Sequence, residues 1–157
     1  MYDATDEVIE LVEKGYSCIA NGDKIRAEKY FLAASESEKN YGIYCYFLFM
    51  KTENRLEEIP TLFEQLVDKK FPPALVRKAV EKFKVDHDLS NDPQLINDLE
   101  SVAAAGHIVA KRILLSNEMV NKPIYLWLPL LVRIWRFSFL EREIENDTNI
   151  TNRRTWY

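Results

Sequence analysis

A stripe of three residues spaced i, i+4, i+7 recurs four times along this chain: Ala27, Phe31, Ala34; Ile59, Phe63, Leu66; Leu95, Leu99, Val102; and Leu131, Trp135, Ser138. Residues at that spacing lie on one side of an α-helix and on no single face of a strand. The central residues Phe31, Phe63, Leu99 and Trp135 are 32, 36 and 36 positions apart. A period of that length marks stacked supersecondary units, each too small to bury its apolar face alone. Apolar alternation at two is nearly absent, so the expected fold is all-α.

A second register accompanies the first. Gly15, Phe47, Ala79 and Leu115 precede the four stripes by 12, 12, 16 and 16 residues. Small residues at two of these positions permit close helix approach, and Phe47 and Leu115 imply wider spacing. Breaks fall at Asn21-Gly22-Asp23, Glu53-Asn54, Phe71-Pro72-Pro73, Ser90-Asn91-Asp92-Pro93, Gly106-His107 and Asn121-Lys122-Pro123. Asp92-Pro93 pairs a capping carboxylate with a proline at the first helical position, where its missing N–H costs nothing. These marks predict an α-α solenoid of about four antiparallel helix pairs over residues 3–142, followed by a tail, 143–157, that seals the last helix.

At 157 residues and 47% hydrophobic content the chain can bury a continuous core. Its 21 basic and 25 acidic residues give a net charge of -4, which argues against a nucleic-acid partner. The acidic N-terminus lacks the pattern of a secretory signal, so a cytoplasmic protein is expected. Cys18 and Cys45 sit inside apolar helical patterns and read as buried small hydrophobes. The run PIYLWLPLLVRIWRFSFL, Pro123 to Leu140, approaches the length of a short membrane span. Pro129 near its middle and the charges of Arg133 and Arg136 oppose a span. A buried closing helix is expected instead, with interfacial membrane contact as the alternative.

Little in the chain suggests catalysis. His107, directly after Gly106, has neither an orienting partner nor a nucleophile in view, and reads as a helix-entry residue. Asp86-His87-Asp88 offers three chemically adequate metal ligands, but adjacent residues rarely converge on one ion. Glu141, Glu143 and Glu145 read as an exposed helix end. No catalytic residue, metal site or cofactor is expected.

Leu11, Gly15, Ala27, Phe31 and Ala34 resemble the hallmark positions of a tetratricopeptide repeat. Ala103, Ala104, Gly106, His107 and Ala110 resemble the Sel-one-like repeat, a close relative, and LFEQLVDKKFPPA ending at Ala74 matches the same register 36 residues earlier. The resemblance covers roughly residues 8 to 140 and is degenerate in the second pair, where Glu38 and Tyr41 replace Gly-His. It extends to stand-alone bacterial members, whose Asn-Asp and terminal basic-Thr-Trp elements are similar to Asn146-Asp147 and Arg154-Thr155-Trp156 with an insertion between them.

The resemblance implies a right-handed superhelix with first helices lining a concave groove. In that register the groove residues are Tyr16, Tyr44, Leu48, Lys51, Val76, Val80, Arg112 and Met119, a set suited to a protein or peptide partner. The same stripe is also compatible with core packing or with a homodimer. The implied function is non-catalytic protein binding, as in a bacterial toxin-immunity or adaptor protein. The alternative is a membrane-peripheral scaffold built on the C-terminal helix.

Overall fold

Each of the six breaks read from the sequence separates two helices in the computed structural model, which describes residues 4–59 and 61–146, with side chains through Leu140. The α-helices are α1 (Asp6–Ala20), α2 (Lys24–Glu36), α3 (Asn40–Thr52), α4 (Leu62–Asp68), α5 (Pro72–Asp86), α6 (Pro93–Ala104), α7 (Ile108–Val120) and α8 (Trp127–Asn146). Short 3-10 turns occupy Leu56–Glu58 and Ile124–Leu126. No strand occurs among the described residues, so the fold class is all-α. The chain divides into two units, residues 1–71 and 72–157. The boundary expected near residue 142 falls inside α8, and the tail from residue 147 lies outside the described residues.

In the first unit two glycines set the helix spacing. A Cβ on Gly15 would sit 2.8 Å from the Phe31 ring, so α1 closes directly onto α2. A Cβ on Gly42 would come within 2.1 Å of the Ala34 carbonyl oxygen, which lets only glycine bring α3 against the end of α2. Into this tight frame pack Val8, Val12, Ala27, Phe31, Ala34, Cys45, Tyr46, Phe49 and Met50. Phe31 stacks on Phe49 at 5.2 Å, and burying each ring contributes about 2–3 kcal/mol. Of the two cysteines, Cys45 is buried and Cys18 half-buried at the core's edge.

The second unit begins at the proline pair. Asp92 caps α6 through Oδ1, which accepts from Leu95 N at 3.1 Å, and Pro93 follows at the first turn as the sequence suggests. Leu95, Leu99 and Val102 are buried from α6, with Ala110, Ile113 and Leu115 from α7.

Two of the four stripes therefore form core: α2 buries all of Ala27, Phe31 and Ala34, and α6 does the same with its set. The second is truncated, because α4 has only seven residues and Ile59 lies before it, leaving Leu66 as the fully buried member. The fourth is out of register by one. Leu131 and Trp135 are exposed, whereas the inward side of α8 carries buried Leu130 and half-buried Trp127, Ile134 and Phe137. The expected buried closing helix is thus corrected: α8 rests on α7 along one side and shows the other to solvent.

Candidate interaction surface

The Gly106-His107 corner is a helix start. Gly106 adopts φ +108, a conformation that side chains rarely enter, and His107 then serves as the N-cap of α7, its Nδ1 accepting from Ala110 N at 3.5 Å. The imidazole is 7% exposed, and Nε2 finds no partner among the described residues. Burial pushes its pKa down to about 4, so the ring is neutral near pH 7. With Nδ1 accepting, the proton sits on Nε2, and no group among the described residues is placed for it to serve.

The Asp86-His87-Asp88 turn is organised by other bonds. Asp88 Oδ1 accepts from the Ser90 N–H at 2.9 Å, the Ser90 hydroxyl at 2.7 Å and Asn121 Nδ2 at 3.0 Å. These bonds hold its carboxyl below the usual range, the Asn121 bond first among them. Buried Asn117 completes the clamp, its Oδ1 accepting from Leu89 N at 2.7 Å. Asn117 and Asn121 thereby fasten the α5–α6 connection to α7. Among the described residues no group of three metal-ligating side chains converges.

The residues expected to line a groove have varied fates. In the first unit Tyr16 is 48% exposed, its ring edge-on to Phe31 at 5.2 Å and its hydroxyl bonded to Cys45; burial of that hydroxyl raises its pKa above the ordinary phenol value. Tyr44 is buried, stacked on Phe47 at 6.4 Å and edge-on to Phe71 at 5.7 Å, so it is core and not lining. Leu48 and Lys51 are half-buried. In the second unit Val76 is buried, while Val80, Arg112 and Met119 are half-buried. Of the apolar positions of the repeat register, Tyr44 and Val76 are buried, Leu48, Val80 and Met119 half-buried and Tyr16 exposed.

A different surface stands out. Leu128, Leu131, Val132, Trp135 and Phe139 are all exposed on α8, Leu128 at 72% and Trp135 at 70%. At 3.6 residues per turn these five fall within an arc of roughly 100°. The preceding turn adds exposed Ile124 and Tyr125. At about 100–200 Å² each, these seven side chains present on the order of 1,000 Å² of mostly apolar surface. That exceeds the few hundred Å² a monomeric surface ordinarily shows. Exposed Arg133 and Arg136 border one edge, and residues 127–140 contain no acid. Among the described residues no helix is long and apolar enough to cross a membrane.

The sequence contained a signal for this face. The run from Trp127 to Leu140 holds more apolar residues than one inward stripe needs, and the excess falls on the outer side. No family model, curated protein or solved structure matches this chain.

Proposed function

We propose that this chain is a non-catalytic protein-interaction module, built of helix pairs of the tetratricopeptide and Sel-one-like kind, whose contact surface is the outer face of α8. The single observation that carries the reading is that face: five large apolar residues on one side of a helix whose other side is packed. Leaving that area in water costs about 25 cal/mol per Å², a cost that a partner removes. Two features support the repeat assignment. Gly15 and Phe31 meet where the tetratricopeptide hallmark puts a close helix contact, and Gly106-His107 turns the chain from α6 into α7. A cytoplasmic immunity or adaptor role fits such a module.

Footprinting by carbene labelling tests the reading. Trp135 and Leu128 label strongly in dilute purified protein and are protected in the native host's cells, with Tyr16 and Arg112 less affected. Equal labelling of α8 in both settings overturns it. A second reading, contact with a lipid surface, draws on Arg133 and Arg136 beside the same face. Co-sedimentation with vesicles containing phosphatidylserine separates the two, with no binding expected for a protein-contact face.

A further inference from the structure

We propose that the occupant of the outer face of α8 is a second copy of this chain, its own α8 lying antiparallel across the first. The inference rests on the reading of α8 as the contact face.

Area is the first argument. A stable dimer buries about 800 Å² on each partner, and the exposed apolar residues of α8 and the turn before it supply on the order of 1,000 Å². Symmetry is the second. A two-fold interface needs a patch complementary to itself. Along α8 the outer positions 128, 131, 132, 135, 136 and 139 are spaced 3, 1, 3, 1, 3, which reads the same in both directions. An antiparallel pair centred between Val132 and Trp135 sets Leu128 against the second copy's Phe139 and Val132 against its Trp135. It also lays the stem of Arg136 along its Leu131.

Composition is the third. A central tryptophan surrounded by aliphatic residues and edged by arginine is the make-up of an interface core, and no acid residue on 127–140 meets its own copy across the axis. A lipid surface fits less well. Arg133 and Arg136 occupy one flank, the opposite flank carries Leu131, Trp127 and Ser138, and the chain as a whole is anionic. A helix lying in a bilayer interface is better served by cations on both flanks.

Sedimentation velocity of the full chain between about 1 and 100 µM tests the proposal. We expect a monomer–dimer transition with a midpoint on the order of 1–10 µM. Trp135→Glu and, separately, Leu128→Lys weaken it by about 100-fold with unchanged far-UV circular dichroism. Because both side chains are mostly in water, each variant folds. An oxidised mixture of Leu128→Cys and Phe139→Cys chains yields the 128–139 intermolecular disulfide by peptide mapping.

A monomer throughout removes the second copy while leaving α8 as the contact face for another partner. A dimer untouched by both variants places the dimer contact elsewhere and overturns the second copy on α8, while the labelling of Trp135 and Leu128 still decides whether that face meets another partner. Binding of the monomer to phosphatidylserine vesicles, lost in Trp135→Glu, assigns the face to lipid and overturns the second copy.

Discussion

Helices α3 and α8 are the two most aromatic segments of this protein, and they meet opposite fates. In α3, NYGIYCYFLFMKT, eight of thirteen residues are buried. It has neighbours on several sides, α1, α2 and α4, so its apolar surface is used all round. In α8 only Leu130 is buried among the residues from Trp127 to Leu140, because α7 is its main helical neighbour and packs along one side of it. Whether an apolar helix is buried all round thus depends on its number of neighbours and not on its own composition.

Truncating the same residue type in both helices should have unequal effects. Phe49→Ala removes a ring that is 4% exposed and stacked on Phe31, and should cost about 3–5 kcal/mol. Phe139→Ala removes one that is 54% exposed and should stay within about 0.5 kcal/mol. Urea denaturation at submicromolar protein, where any dimer is dissociated, reads both. Similar losses in the two variants would mean that α8 is covered within a single chain.

The wall on which α8 rests begins at His107, and its cap makes a pH prediction. The unfolded imidazole titrates near 6.5 and the folded one near 4. Between those values the unfolded chain binds a proton that the folded chain refuses. Stability is therefore full above pH 6.5 and falls as pH drops toward 4, by about 3 kcal/mol. His107→Asn keeps a capping acceptor and should flatten this slope. A wild-type slope that survives the substitution would place the titrating group elsewhere.

Asn117 on α7 gives the next effect in size. Removing its side chain leaves the buried Leu89 N–H without its acceptor, at a cost of about 1–3 kcal/mol. Asn117→Ala should also expose the α5–α6 connection to amide exchange while α3 exchanges as before. Unchanged protection at Leu89 would show that the bond contributes nothing.

Helical periodicity made the all-α class and most of the helix boundaries legible. The stripes of α2 and α6, the six breaks and the Asp92-Pro93 cap are all local signals. What periodicity could not carry was phase. In α8 the stripes at 130, 134, 137 and at 131, 135, 138 are both apolar enough to face inward, so the sequence alone does not say which one α7 takes. Gly42 was obscured for a related reason: its role depends on the Ala34 carbonyl oxygen, a backbone atom that no residue pattern displays. The groove set failed at Tyr44 because the stripe gives a direction on the helix but not the presence of Phe47 and Phe71 along it. His107 is the converse case, since the glycine before it and the apolar run after it were enough to mark a helix entry.

The ends of the two aromatic helices are held by different kinds of bond. Just past α3, Arg55 N donates to Met50 O at 2.9 Å, and its guanidinium bonds to Glu58 at 2.6 and 2.7 Å and to Glu28 of α2 at 2.8 Å. The start of α8 has a neutral counterpart, Trp127 Nε1 donating to Lys122 O at 2.9 Å. The Arg55 side chain is partly exposed, so water and salt screen its pairs, and the two carboxylates held by one planar fork stabilise only weakly. Arg55→Gln should lower stability slightly in low salt and by roughly half as much in 0.5 M sodium chloride, where the Debye length is about 4 Å. Trp127→Phe deletes a bond without charge, and its small loss should not change with salt. A salt-independent loss in Arg55→Gln would mean that the stem of Arg55 packs α3 against α2 and the charges contribute little.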